Sequence, residues 1–154
     1  MSKSIIFITF MLILFSISIS YSQSPIIHKF NYEEIDLNKL QRILMLKTTY
    51  WEKLGPIQIY FFDDYLKMNQ FTSKLLSMSY TKYKDYVNRI VCEGLAKKPI
   101  ILPHSICVIQ AVRSEKNALG VIDDGIILSG QNLVKFVCVK KYGVEGEFYD
   151  FQDN

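Results

Sequence analysis

The sequence predicts an α/β fold, a three-layer sandwich built on a mixed sheet. Three observations carry that expectation. The run Ile57-Gln58-Ile59-Tyr60-Phe61-Phe62 is β-rich and nearly all apolar, as a strand covered on both faces must be. Stretches with apolar residues at three-and-four spacing stand before and after it, so helices alternate with strands and cover the sheet from either side. The chain has 154 residues, 49% hydrophobic and 21% charged, which suits one compact core and excludes a disordered or low-complexity protein.

The elements follow in order. Pro25-Ile26-Ile27-His28-Lys29-Phe30 reads as a short opening strand. Asp36 then caps a helix, because its carboxylate can accept from the free N–H groups of the first turn. Leu37, Leu40, Ile43, Leu44 and Leu46 mark the buried face of that helix. Thr48-Thr49-Tyr50-Trp51 breaks the period, and Leu54-Gly55-Pro56 is a turn. The central strand at 57–62 leads through Asp63-Asp64 into a helix of about three turns carrying Tyr65, Leu66, Met68, Phe71, Leu75 and Leu76. Ser79 starts a further helix with Tyr83, Tyr86, Val87, Ile90 and Val91 in register, and Gly94 stops it. Lys97-Lys98-Pro99 is a solvated connector and Ile100-Ile101-Leu102-Pro103 an apolar approach. Pro103-His104-Ser105 opens the next helix, with Ile106, Val108, Ile109 and Val112 along it. Ala118 to Asp123 is a strand, Asp124-Gly125 a turn, and Leu133 to Val139 the last strand. The tail from Lys140 mixes Gly143 and Gly146 with acids.

Residues 1–22 read as a signal peptide. Lys3 is followed by an apolar stretch from Ile5 to Phe15 and a small-polar run, Ser16 to Ser22, with Ser20 and Ser22 suitably small for cleavage before Gln23. A spanning helix needs about 20 apolar residues, and serines interrupt this one. The expectation is therefore a single domain over 23–154, periplasmic or secreted, with no membrane span after cleavage.

Composition and motifs disfavour several function classes. Lys and Arg number 18 against 15 acids, a net +3 that is too small an excess to argue for a nucleic-acid partner. The seven glycines form no Walker or dinucleotide cradle. Three cysteines, Cys92, Cys107 and Cys138, permit one bridge at most. A Cys92–Cys107 loop of about 15 residues would be worth roughly 3 kcal/mol in chain entropy, while burial in their apolar surroundings is the alternative for each. Their spacing does not suit zinc, so neither metal nor cofactor is expected. A hydrolase would need Cys107 or a serine beside His28 or His104, and no nucleophile elbow surrounds them, so no enzyme is expected. Trp51 could stack on a sugar or pack under the first helix. Tyr80, Tyr83 and Tyr86 could form an exposed partner patch or a helix face.

From Ile35 to Val139 the ordered set of elements resembles the phosphate-type substrate-binding proteins of ABC transporters, in particular short single-lobe members of the type 2 periplasmic-binding-protein superfamily. The pieces that carry the resemblance are Leu37 to Leu44, Trp51, Gly55-Pro56-Ile57-Gln58-Ile59, Phe71, Gly94 to Pro99, Ser105 to Val112, and Asn117-Ala118-Leu119-Gly120-Val121-Ile122. The resemblance implies an exported, non-enzymatic binding lobe. Its partners would be a small anion such as phosphate and the membrane component of an ABC transporter or another periplasmic protein. In such lobes a helix N-terminus meets the anion, since free N–H groups and the helix dipole both favour negative charge. Asp63, Asp64, His104 and Ser105 are the side chains this reading brings nearest the ligand, although each helix start is also accounted for by capping. The family commonly has a Ser-Gly-Thr type loop where this chain has Phe62-Asp63-Asp64-Tyr65, and two carboxylates there repel phosphate. The alternative is a lobe that has lost solute binding and serves as a protein-interaction module.

Overall fold

The computed structural model describes residues 23–123, 126 and 134–137. The leader expected over 1–22, the turn at Asp124-Gly125, Cys138 and the tail from Lys140 lie outside them. The described elements are β1 (Gln23–His28), α1 (Leu37–Leu44), β2 (Tyr50–Trp51), β3 (Gly55–Pro56), β4 (Gln58–Phe62), α2 (Tyr65–Leu76), α3 (Tyr80–Cys92), β5 (Ile100–Leu102), α4 (Ser105–Ser114), β6 (Ala118–Asp123) and β7 (Val134–Phe136).

Five strands form one sheet in the order β5-β4-β6-β1-β7. β4 runs parallel to β5 and β6, while β1 is antiparallel to β6 and β7, so the sheet is mixed as expected. The chain steps outward from β4 to β5 through α2 and α3, then returns past β4 to β6 through α4. Crossovers of the usual right hand, run in opposite directions, put their helices on opposite faces of the sheet. Side chains agree, because neighbours on a strand point to opposite faces. Phe61 meets Tyr83 of α3 edge-on at 6.0 Å between ring centres. Tyr60, one residue earlier, donates its hydroxyl to Glu115 just beyond α4 at 2.7 Å. Burial first, then that carboxylate, push the Tyr60 hydroxyl up to about 12. Helix, sheet and helix make the three layers.

The helix ends follow their sequence signals closely. Asp36, Asp64 and Ser79 each accept from the backbone N–H three residues on, at 2.6, 3.1 and 3.3 Å. Gly94 takes φ +73° past the end of α3, with Gly94 N–H donating to Val91 and Leu95 N–H to Ile90, a Schellman closure. α1 ends by the same bonding, Leu46 to Ile43 and Lys47 to Arg42, but with a leucine at φ +55°. Leu46 is therefore outside the helix, and Leu40, Ile43 and Leu44 form its buried face while Leu37 is exposed at 36%.

Other expectations change in detail. The apolar approach Ile100 to Leu102 is edge strand β5, with Ile100 and Ile101 exposed. The Leu54-Gly55-Pro56 turn is part of a two-strand ribbon, where Tyr50 and Trp51 pair with Pro56 and Gly55. Trp51 is buried and its Nε1–H donates to the Asn117 carbonyl at 2.9 Å, so it packs and is no sugar platform. Tyr80 and Tyr83 are buried and Tyr86 half-buried. The hydroxyls of Tyr83 and Tyr86 donate to the carbonyls of Leu44 and Met45 at 2.8 Å, satisfying the end of α1. These tyrosines tie helices together rather than offering a patch. Cys92 and Cys107 are free thiols. They could not bridge, because α3 and α4 lie on opposite faces and these residues sit at opposite ends of the sheet. Cys92 is exposed rather than buried.

His28 closes β1 in a buried position, its Nδ1 accepting from Phe30 N–H at 3.2 Å. Burial holds its imidazole below the usual histidine range, with Lys116 adding in the same direction and a hydrogen bond to the Arg113 backbone opposing both. A depressed folded-state value means that the unfolded chain takes up the proton first as pH falls. Stability is therefore fully present above about pH 6.5, the unperturbed value, and falls as the medium is acidified below it. Urea midpoints measured from pH 7.5 to 5 are expected to decline over the lower half of that range and to decline less in His28→Gln. Equal declines in the two proteins would show that His28 contributes nothing to the acid limb.

Candidate functional site

The parallel pair β4–β5 fixes where the site residues come together. Phe62 pairs with Leu102, so both strands end at one level, and Asp63 N–H donates to the Leu102 carbonyl at 2.8 Å. Two residues separate the end of the first strand from the start of α2, and two separate the end of the second from the start of α4. Both helices thus start from the carboxyl edge of the sheet, one above it and one below. Asp63, Asp64, His104 and Ser105 all lie on this edge.

Their environments differ. Asp63 and His104 are exposed, Asp64 is half-buried, and Ser105 is 5% exposed. Asp64 is committed to capping α2 through the Lys67 N–H. Ser105 does not cap α4, contrary to the capping account of that residue. It is the first helical residue, and its Oγ accepts from Asp123 N–H at 3.1 Å, which stitches α4 to the end of β6. His104 occupies the cap position of α4 and makes no capping hydrogen bond. The two helix starts are therefore unequal: the α2 start is closed by a carboxylate, and no side chain caps the α4 start.

Sequence reasoning missed Lys67 and Asp123. Lys67 pairs with Asp123 through Oδ2 and lies 4.0 Å from Asp64, so one ammonium stands between two carboxylates. Only their separate positions were legible, Asp123 at the end of an apolar strand and Lys67 one turn beyond the Asp64 cap; the pairing itself was not. Gln23 and Asp123 pair across β1 and β6, and Gln23 Nε2 and Asp123 Oδ1 are buried without hydrogen-bond partners. A donor and an acceptor thus remain unused side by side at this edge. On its flank Tyr65 donates to or accepts from Thr81 at 2.9 Å, and Lys84 lies over the Tyr65 and Tyr80 rings at 5.8 and 5.0 Å. Burial, then the charge of Asp63, push the Tyr80 hydroxyl up. Among the described residues no group of three or more His, Cys, Asp or Glu could hold a metal ion. The edge offers backbone N–H groups and a hydroxyl to anionic oxygens, with carboxylates opposing a high negative charge.

No family model matches the chain, and no curated protein matches it. Solved structures do. One is an X-ray structure, with phosphate bound, of a protein assigned as a phosphate ABC transporter substrate-binding protein from Clostridium perfringens. It superposes with a TM-score of 0.56 at 20% identity, over 77% of this chain and 45% of that one. A second is a candidate phosphate-binding protein from Planctomyces limnophilus, with a TM-score of 0.55 at 14% identity, over 78% of this chain and 42% of that one. The chain shares its fold with part of each of these proteins. At these identities the likeness is one of fold, and the chain spans less than half the length of either structure. No helix among its described residues is long and apolar enough to cross a membrane.

Proposed function

We propose that the chain is an exported, non-enzymatic solute-binding lobe that takes a small oxyanion, of which phosphate is the first candidate, at the carboxyl edge of its sheet. The observation that carries this reading is the pair of helices starting from that edge, one of them with no side-chain cap. Backbone N–H groups at such a start favour an anion by their direction and by the helix dipole. Ser105 and His104 contribute beside the α4 start. Asp63 and Asp64 lie on the α2 side and set the charge the ligand can carry. The structures with this fold that are assigned to phosphate binding support the choice of first ligand. The leader read in residues 1–22 supports export, and the membrane component of an ABC transporter is the matching partner.

The test is a thermal-shift and calorimetric series on the full chain produced by export, with phosphate, sulfate and phosphate plus magnesium. Phosphate at a hundred times its dissociation constant should stabilise the fold by about 2.7 kcal/mol, a rise of several degrees in Tm for a domain of this size. No rise with any of the three overturns the oxyanion reading.

A further inference from the structure

Away from the carboxyl edge, a groove of about 320 Å3 lies between α1 and the end of α2. Its walls include Met45, Leu75, Leu76 and Met78, and Arg42 and Lys47 stand on its rim. No acidic residue is among the described residues that line it. The same polarity holds on a larger scale. Residues 23–123 carry fourteen Lys and Arg against ten Asp and Glu, a net +4. Residues 145–153, Glu-Gly-Glu-Phe-Tyr-Asp-Phe-Gln-Asp, carry four acids and no base, a net −4, together with Phe148, Tyr149 and Phe151. A basic body and an acidic, aromatic run in one chain are complementary both in charge and in apolar content.

We infer that this groove is the docking site of the chain's own residues 145–153, with their aromatic side chains on the methionine and leucine walls and their carboxylates on Arg42 and Lys47. The reach is sufficient. Val137 N–H donates to the Pro25 carbonyl, which leaves the chain beside β1, and α2 packs against β1. The seven residues 138–144 can span about 24 Å, while the twelve residues of α2 are about 18 Å long. Docking there would cover the half-buried Met45, Leu75, Leu76 and Met78 and leave the carboxyl edge open.

Hydrogen–deuterium exchange on the full chain tests this. The segments 41–48 and 73–78 are expected to exchange about tenfold faster in Phe148→Ser/Phe151→Ser than in the wild type, with β4 and β6 unchanged. Arg42→Glu/Lys47→Glu should give the same loss. A variant combining it with Glu145→Lys/Glu147→Lys should regain the protection, because the charges are restored with reversed sign. Added salt should weaken the protection in the wild type. Unchanged exchange in the phenylalanine variant overturns the proposal. Protection that disappears on dilution also overturns it, since it would assign the groove to the acidic run of a second copy.

Discussion

Gly120→Val is expected to lower the unfolding free energy by about 3 kcal/mol, a large share of the roughly 5–15 kcal/mol that holds a domain together. Gly120 sits in β6 where α4 crosses the sheet. A Cβ there would lie 2.6 Å from Val108 Cγ1, 2.9 Å from Val112 Cγ2 and 3.2 Å from Ile26 Cγ1. Real side chains do not tolerate the first two distances, and all three neighbours are fully buried, so none can swing into solvent. The helix must lift or the valines must leave their rotamers. Gly120→Ala should cost less, since one methyl enters and the added residue lowers the entropy of the unfolded chain. Combining Gly120→Ala with Val108→Ala should recover part of the loss, because the second change makes the space the first requires. Chemical unfolding of the four proteins measures this, and a Gly120→Val variant as stable as the wild type would refute the close approach of α4 to the sheet.

The consequence reaches the candidate site, because α4 is held at both levels by the same contact. Val108 and Val112 set its depth over β6, and Ser105 ties its first turn to Asp123. A lifted helix would carry the uncapped start away from the edge, so Gly120→Val should weaken ligand binding as well as stability.

Much of this arrangement was legible in the sequence, for identifiable physical reasons. Asp36, Asp64 and Ser79 announced three helix starts because a short oxygen-bearing side chain is one of the few ways to satisfy the first N–H groups. The nearly all-apolar run at 57–62 announced a central strand because a strand with helices on both faces has no side to give to water. Less legible was the end of α1, where Leu46 takes a left-handed conformation that glycine usually marks. β5 was hidden by its brevity, three residues between Pro99 and Pro103, with two of its side chains exposed as edge strands allow. Ser105 was misassigned because sequence cannot distinguish a hydroxyl that caps its own helix from one that receives a backbone N–H from a strand 18 residues away. Lys67 and Asp123 form a pair across 56 residues, which no local pattern encodes.

The acidic character of the edge yields the second large effect. Asp63→Ser is expected to tighten phosphate binding about tenfold or more, with little change in stability. Asp63 is exposed and is not the cap of α2, a role that belongs to Asp64. Removing it therefore leaves the helix start intact. Two like charges about 6 Å apart at an effective dielectric near 20 repel by roughly 3 kcal/mol, and exposure to solvent reduces that figure. Half of it already corresponds to a factor of about ten in affinity. Asp64→Ser should act in the same direction, since serine keeps a capping oxygen while losing the charge. Asp64→Ala removes cap and charge together and should cost about 1 kcal/mol of stability in addition. Both gains should shrink with rising ionic strength, as screening replaces what the substitution achieves. Calorimetric titration at low and high salt distinguishes this from the contrary case. If Asp63→Ser weakens phosphate binding, the carboxylate is an acceptor for a proton on the ligand rather than a repelling charge, and the edge selects protonated oxyanions instead of tolerating them.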